Sequence, residues 1–423
     1  MVDNSKLLRR TFLAGAGAGL SALALSRAGL RATAAPRATA RNLVLVVARG
    51  GWDVTYALDP KPGLAAIDAP DGEVQDFSGL PILTHDARPG VAAFFTAHAQ
   101  RCALVRGVAV RSVSHLGCSA RMLTGTSTET SPDLGAITAA ELGSDAPVPY
   151  LVLGRTSFAG PYAALATRAG TTNQLHALLD PNSVVWFATE PPKWTPSSNQ
   201  DWMIREYVKL RAGRQREQRD LPETRARIDD FLASLERGEA LKGNSALGGF
   251  NFNRDLGPQT EVTVAALEQG LSRAIQLEFG DFDTHTANSS QSQLHEEFFS
   301  GLKTLVDELA SRPGAGGGTL LDETVVAVVS EMGRTPKLNG EGGKDHWPVT
   351  SALVLGAGVA GGRVLGGTDD NLDAVPTDLS TGAPAGDGSP IDYTSFTAGV
   401  LSLVGVDPSI HLPNAEPLHA LRA

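Results

Sequence analysis

The chain has 423 residues and a formal net charge of −10, with 42% hydrophobic and 19% charged residues. This balance is typical of a globular protein with one large domain or two smaller ones. The negative charge excludes a nucleic-acid-binding module, because such a module needs cations to neutralise phosphates. Two cysteines are too few for a small disulfide scaffold, and no apolar run approaches the ~18–20 residues of a membrane-spanning helix.

The first forty residues have the pattern of an export signal. A twin arginine, Arg9-Arg10, precedes a short Ala- and Gly-rich segment, and small residues at 32–36 and 38–40 offer cleavage sites. This pattern favours twin-arginine export, although a general secretory signal that contains two arginines has the same outline. We expect residues 1–40 to be a twin-arginine signal peptide, with the translocase as a partner during export and a periplasmic or extracellular destination.

Strands and helices alternate over residues 41–423. Continuous β-branched runs predict strands that are buried on both faces. Charged, glycine-poor sequence predicts a helical insertion at about residues 190–260, and Gly- and Pro-rich sequence predicts a surface loop at 366–390. The predicted elements are, in chain order, a strand at 42–48, a helix at 89–99, a strand at 102–110, a helix at 132–142, a strand at 150–154, helices at 202–219 and 222–241, a strand at 274–279, a helix at 291–311, strands at 324–330 and 351–355, and a helix at 394–404.

This alternation predicts an α/β domain over residues 41–423, with a mostly parallel central sheet that is covered by helices on both faces. The two cysteines leave two alternatives open. Cys102 and Cys118 could pair in an oxidising compartment, or both could be buried free thiols.

Polar clusters follow several of the predicted strands. In open α/β sheets the ligand site lies outside the carboxyl ends of the strands, so these clusters are candidates for one common site. They are Arg49-Gly50-Gly51-Trp52-Asp53, Gly280-Asp281-Phe282-Asp283-Thr284-His285, Ser330-Glu331-Met332-Gly333-Arg334-Thr335-Pro336 and Gly343-Lys344-Asp345-His346-Trp347-Pro348.

The cluster that ends in His285 has the most specific chemistry. Asp281 and Asp283 lie close together, and two such charges repel unless a cation lies between them. Carboxylate and imidazole together suit Zn, Mn or Fe. The alternative is a solvated loop in which an aspartate caps a turn.

The other clusters each have a structural alternative. Asp53 could be a turn residue that caps a helix. Glu331 ends an otherwise apolar strand, where an acid is costly unless it is paired or metal-bound, and its alternative is an ion pair with Arg334. His346 could be a ligand, a general base or a hydrogen-bonded core histidine.

A fifth segment precedes a helix and contains hydroxyl groups. Ser112, Ser114 and Ser119 are candidate nucleophiles, because the helix dipole and a nearby metal favour an alkoxide. Helix capping is the common alternative for such residues. His115 could activate a serine or bind a metal.

The order of these motifs resembles a large bacterial family known as domain of unknown function fifteen-oh-one. The motifs are Gly-Gly-Trp-Asp, Ser-His followed by Met-Leu-Thr-Gly, Phe-Asp-Thr-His, Ser-Glu-Met-Gly-Arg-Thr-Pro and Lys-Asp-His-Trp-Pro. The resemblance covers nearly all of residues 42–415. That family is grouped with the alkaline phosphatase and sulfatase superfamily, so the resemblance implies an alkaline phosphatase-like fold and a metal-dependent hydrolase of a phosphate or sulfate ester on a small molecule or polysaccharide.

The resemblance also implies a set of site residues. Ser114 or His115 would lie at the nucleophile position, and Arg334 and Arg49 could hold the anionic ester, since a guanidinium matches such oxygens. One or two divalent ions (Zn, Ca, Mn or Mg) would be held by Asp53, Asp283, His285, Glu331 and His346. No nucleic acid and no stable membrane span are expected.

Two departures from the superfamily pattern support a second hypothesis. His115 stands where sulfatases carry the cysteine of their Cys-x-Pro-x-Arg motif, and Glu331 is followed by Met332 where phosphatases have a histidine. A catalytically degenerate periplasmic binding or assembly protein with the same fold is therefore the alternative function.

Overall fold

The computed structural model describes residues 40–169, 196–241, 247 and 254–423. All but the last residue of the predicted signal peptide lie outside these ranges, so that assignment stays a prediction. The boundaries of the helical insertion also stay a prediction. Its two predicted helices are among the described elements, and they belong, with the rest of the described fold, to the unit Arg41–Ala423.

The strands and helices of the described residues are as follows. The strands are β1 (Asn42–Ala48), β2 (Glu73–Phe77), β3 (Leu80–Thr84), β4 (Cys102–Ala109), β5 (Tyr150–Val152), β6 (Ala166–Arg168), β7 (Ala274–Phe279), β8 (Thr324–Val329), β9 (Gly333–Arg334), β10 (His346–Trp347), β11 (Val349–Gly356) and β12 (Arg363–Gly366). The helices are α1 (Pro89–His98), α2 (His115–Thr124), α3 (Leu134–Leu142), α4 (Ser198–Glu217), α5 (Pro222–Leu241), α6 (Leu256–Glu268), α7 (Gln291–Ser311) and α8 (Tyr393–Val404).

The central sheet has eight strands in the order β12-β4-β11-β8-β1-β7-β5-β6. Only β11 is antiparallel to its neighbours, β4 and β8, and every other neighbouring pair is parallel. The mostly parallel α/β sheet predicted from the sequence is therefore confirmed. Because β1, β7 and β8 run side by side in the same direction, the loops that follow them emerge at one edge.

Helices cover both faces of this sheet. All seven residues of β1 are buried, because alternate side chains enter two different cores. Val44 and Val46 pack with residues of α1, α6 and α7, whereas Leu43 and Leu45 pack with residues of α2, α3 and α8. Each fully buried side chain of this size contributes ~1.5–3 kcal/mol, so the two cores hold the strand ends rigidly.

Three features differ from the sequence prediction or extend it. Residues 256–268 form a helix that was not predicted, because the sequence before Gly257 has the composition of a loop. The hairpin of β2 and β3 was not predicted. Cys102 and Cys118 are both buried free thiols, which decides between the two alternatives. No helix among the described residues is long and apolar enough to cross a membrane.

A buried histidine on α7 makes the stability of the fold depend on pH. His295 stacks against the rings of Trp52, Tyr56 and Phe299, and burial lowers its pKa to about 3. The unfolded chain therefore binds a proton at this residue as the pH falls below about 6.5, while the folded chain does not. The stability that the neutral ring provides is present above that pH and is lost as the pH falls.

We expect the variant His295→Phe to lose less stability on acidification than the wild type. Between about pH 7.5 and about pH 5, the loss should be about 2 kcal/mol smaller, because the variant has no group here that must stay unprotonated. Urea unfolding at the two pH values measures the difference. The exposed His419 supplies the control variant His419→Gln, which should match the wild type, and equal losses in all three proteins would contradict the assignment.

Candidate functional site: a cluster of three histidines and an aspartate

The candidate site lies where β1, β7 and β8 end. The loop after β1 passes so close to the loop after β7 that a Cβ atom on Gly50 would lie 2.5 Å from the backbone nitrogen of Asp283. Gly50 also has a φ of +109°, a conformation that only glycine adopts without strain. The glycine pair after β1 therefore lets the two loops meet, as the strand-end pattern predicts.

Two further elements bring histidines to the same place. The short hairpin of β9 and β10 pairs His346 with Arg334. Helix α2 begins at His115, and the Ser114 hydroxyl caps it by accepting a hydrogen bond from the backbone N–H of Gly117. Both histidines thus reach the loop that carries Asp283 and His285.

Asp283 lies at the centre of three imidazoles, and we call these four residues the His/Asp cluster. Its Oδ1 lies 3.1 Å from Nε2 of His346 and 3.2 Å from Nε2 of His285. Its Oδ2 lies 3.2 Å from Nε2 of His115. The Nε2 atoms of His285 and His346 are 3.0 Å apart. The side chains of Asp283, His115 and His285 are 37–44% exposed, so the cluster opens to solvent.

The other ring nitrogen of each histidine contacts a hydrogen-bond acceptor. Nδ1 of His346 lies 2.7 Å from the carbonyl oxygen of Val113, Nδ1 of His285 lies 3.1 Å from Asp345, and Nδ1 of His115 lies 3.1 Å from Glu331. Since a carbonyl or carboxylate oxygen only accepts, each Nδ1 carries the hydrogen. In the neutral rings, each Nε2 therefore directs a lone pair toward Asp283.

Converging lone pairs repel unless a cation lies among them, and this donor set fits a metal ion. Metal-bound histidines commonly donate their second N–H to a carboxylate or a backbone carbonyl, as all three do here. Nitrogen ligands ~2.0–2.1 Å from a tetrahedral zinc ion lie roughly 3.3 Å apart. The separations of 3.0–3.2 Å among Asp283, His285 and His346 are close to that spacing. The ligand atoms of His115, Asp283 and His346 lie within 4.8 Å of one another, so the residues present fit a divalent ion.

Arg334 fixes the carboxylate of Asp283. Its side chain is fully buried, and its Nη2 donates to Oδ1 of Asp283 at 2.7 Å and to the carbonyl of Gly50. Burial raises the pKa of Asp283, but the hydrogen bond and the charge of Arg334 outweigh it and, with the contact to His346, bring the pKa to about 2. Arg334 also donates to the carbonyls of Gly51 and Lys344. The guanidinium of Arg334 is therefore enclosed, and its donors are engaged by Asp283 and by the loops of the site.

Glu331 contacts the cluster through His115. Its Oε1 accepts from the backbone N–H of Gly50 at 2.8 Å and lies 3.1 Å from Nδ1 of His115. The hydrogen bond to Glu331 raises the pKa of His115, against the opposite effect of burial. The carboxylate is 1% exposed, and its Oε2 has no hydrogen-bond partner among the described residues. In this geometry Glu331 contacts His115 and orients its ring, and a direct ligand role for Glu331 stays a prediction.

Asp53 lies outside the cluster. Its carboxylate forms an ion pair of 2.8 Å with Lys344, and both side chains are 0% exposed. Burial raises the pKa of Asp53, but the charge and hydrogen bond of Lys344, with Thr55 and Asn288, bring it below the usual value. A lysine ammonium therefore neutralises this carboxylate, which lies apart from the His/Asp cluster; the ligand role of Asp53 stays a prediction.

The remaining candidates take the following positions. Ser114 caps α2, and none of its hydrogen bonds among the described residues reaches the cluster. Arg49 lies 3.6 Å from the buried Glu278 and is partly exposed. Asp281, the alternative acid of the Asp-His motif, pairs with Arg254 instead. Of the five predicted ligands, the structure brings Asp283, His285 and His346 together and adds His115, which the sequence offered as a nucleophile or a ligand.

Two residues that support the site, Asp345 and Lys344, were not assigned a role from the sequence. Asp345 holds Nδ1 of His285, and this hydrogen bond lowers the pKa of Asp345. Lys344 neutralises Asp53. Both flank His346 in the Lys-Asp-His motif, so an acid next to a candidate ligand was the available signal for Asp345.

Gly343 packs directly against the backbone of His285, so a side chain at this residue would displace His285. A Cβ atom at this residue would lie 2.0 Å from the carbonyl carbon and oxygen of His285. We expect Gly343→Ala to push the two loops apart and weaken zinc binding by ~10–100-fold, the cost typical of losing an outer-shell support. Competition with a zinc chelator measures this, and Gly340→Ala is the control because it has open space. Equal affinity in the two variants would contradict the packing argument.

A search of the curated proteins finds no match to the chain. Solved structures match over most of the chain at low similarity. A protein in the alkaline phosphatase superfamily from Vibrio parahaemolyticus has 10% identity and a TM-score of 0.39, covering 89% of this chain and 69% of that one. The lipoteichoic acid synthase LtaP from Listeria monocytogenes has 9% identity and a TM-score of 0.36, covering 92% and 77%. The lipooligosaccharide phosphoethanolamine transferase A from Neisseria meningitidis has 11% identity and a TM-score of 0.40, covering 92% and 59%.

A family profile also matches part of the chain, over residues 252–409. The matched segment contains Asp283, His285, Glu331, Arg334 and His346, whereas His115 precedes it. Residues 252–409 thus match the family described as protein of unknown function (DUF1501), which supports the predicted resemblance for the three motifs that lie in this segment.

Proposed function

We propose that this chain is an exported, metal-dependent hydrolase of a phosphate or sulfate ester, with its metal held by Asp283, His115, His285 and His346. The single observation that carries the proposal is the convergence of three Nε2 atoms on Asp283, each ring held by an acceptor at Nδ1. Three imidazoles and one carboxylate favour Zn or Mn over Mg and Ca, which take oxygen ligands. Export by the twin-arginine pathway to the periplasm or the cell exterior is part of the proposal.

A divalent ion at this position would polarise an ester oxygen and stabilise the charge that develops in the transition state. The residues around it have separate tasks. Asp283 stays ionised at neutral pH, because the buried guanidinium of Arg334 holds its pKa at about 2. Glu331, Asp345 and the carbonyl of Val113 fix the orientation of the three rings, so little reorganisation is needed when a substrate binds.

Ser114 is the side-chain nucleophile that we propose. It is exposed at the N-terminus of α2, where the helix dipole favours an alkoxide. Its chain neighbours both support the site, since Val113 holds His346 and His115 belongs to the His/Asp cluster. With Arg334 enclosed, Arg49 is the predicted guanidinium that stays partly exposed for an anionic ester.

A second candidate function is metal binding without turnover. The observation that favours it is the burial of Arg334, which leaves the ester without one of its two predicted cationic contacts. A protein of this kind would bind an ion with the same residues and would serve in binding or assembly.

Metal analysis followed by an ester panel separates the two functions. Purified wild-type protein should contain zinc or manganese and should hydrolyse aryl phosphate or aryl sulfate esters. Ser114→Ala should keep the metal and lose turnover, whereas Asp283→Asn should lose both. Metal without turnover on mono- and diesters would support the binding protein, and a protein that takes up no metal would contradict both functions.

A further inference from the structure

We infer that the His/Asp cluster holds one divalent ion and not two, because the ammonium group of Lys344 already provides the positive charge that a second ion would bring to Asp53. This inference rests on the proposed function and concerns the number of ions. It follows from three observations on the residues between β1 and the β9–β10 hairpin.

The first observation is that the carboxylate of Asp53 has no acceptor position left. Its Oδ1 accepts from the backbone N–H and from the hydroxyl of Thr55, at 3.1 and 2.6 Å. Its Oδ2 accepts from Asn288 at 2.9 Å and lies 2.8 Å from the Lys344 ammonium. A carboxylate offers about four lone-pair sites, so four donors occupy all of them and none remains for a metal.

The second observation is that Lys344 is fixed in place by the cluster's own loops. Its backbone N–H donates to the carbonyl of Thr284 at 3.1 Å, and its carbonyl accepts from Arg334 at 3.1 Å. Its side chain is 0% exposed, and the ammonium has no further hydrogen-bond partner among the described residues. His346 follows Lys344 by two residues, at the start of β10, so one short segment carries both a candidate metal ligand and the buried ammonium.

The third observation concerns the other ligands that a second ion would need. Among the residues that the structure describes, one group of His, Cys, Asp or Glu side chains has its ligand atoms within 4.8 Å of one another, and it consists of His115, Asp283 and His346. Glu331 is a buried acid beside the cluster, and its hydrogen-bond partners among the described residues are His115 and the backbone N–H of Gly50. A second ion beside Asp53 would therefore have no free lone pair of the carboxylate to bind, and the Lys344 ammonium would repel it.

Native mass spectrometry of the purified chain after incubation with excess zinc, and separately manganese, counts the ions per molecule. We expect one ion in the wild type and one in the double variant Asp53→Asn/Lys344→Met, which removes both charges and keeps similar shapes. Lys337→Met, at the exposed ion pair with Asp68, is the matched control and should also bind one.

Two ions in the wild type would overturn this inference while leaving the proposed function intact, and that count does not depend on how any variant folds. One ion in the wild type but none in a folded double variant would also overturn it, because the pair would then belong to the metal site itself. No ion in the wild type would overturn the proposed function and, with it, this inference.

Discussion

Replacing Asp283 with asparagine is expected to weaken zinc binding by roughly 100-fold or more, since the loss of a partner one shell further out already costs ~10–100-fold. Asp283 contacts all three imidazoles of the cluster, and an asparagine carries no charge to offset the ion. Its amide oxygen can still accept from Arg334, so we expect the metal-free variant to keep its fold. Chelator competition near neutral pH measures the affinity.

Asparagine variants of two neighbouring acids should weaken zinc binding less than Asp283→Asn does. Asp345→Asn should weaken zinc binding by ~10–100-fold, because Asp345 holds Nδ1 of His285 and only orients the ring. Asp281→Asn is the control from the same loop as Asp283, and it should change the affinity by less than about twofold, because Asp281 pairs with Arg254 and touches no histidine of the cluster. If Asp283→Asn and Asp281→Asn bind zinc equally well, the cluster is not the metal site.

The sequence predicted those parts of the site that follow from strand ends. The apolar runs at 42–48, 274–279 and 324–329 form adjacent parallel strands, so the residues that follow them meet at one edge. This reasoning placed Asp283 and His285 together with the loop after β1. The family resemblance, and not the strand-end argument, added His346 to the predicted ligands.

The partners of Asp53 and Arg334 could not be predicted in the same way. Whether a carboxylate at a strand end meets an ion or an ammonium depends on how a distant loop folds back, and Lys344 lies 291 residues after Asp53 in the chain. The direction of Arg334 depends on the two-residue pairing of β9 with β10, which is too short to leave a periodic pattern. Side-chain pairing at close range is set by packing, and the hydrophobic pattern of the sequence does not encode it locally.

The variant Lys344→Met should lose ~3–5 kcal/mol of folding free energy, the usual cost of removing one partner from a buried ion pair. Both side chains are 0% exposed, so the remaining carboxylate of Asp53 would be left without a counter-charge and out of reach of water. The exposed pair of Lys337 and Asp68 gives the control Lys337→Met, for which ~0–1 kcal/mol is expected. Urea unfolding of the metal-free proteins measures both.

The double variant Asp53→Asn/Lys344→Met decides whether this loss comes from the unpaired charge. Asparagine keeps the acceptor for Thr55 and needs no counter-charge, so the double variant should be more stable than Lys344→Met alone. A thermodynamic cycle over the wild type, the two single variants and the double variant isolates the coupling between the residues, which is expected to exceed ~1 kcal/mol for side chains in contact. Additive losses would mean that the two charges do not stabilise each other, and the ammonium would then not act as the fixed cation of Asp53.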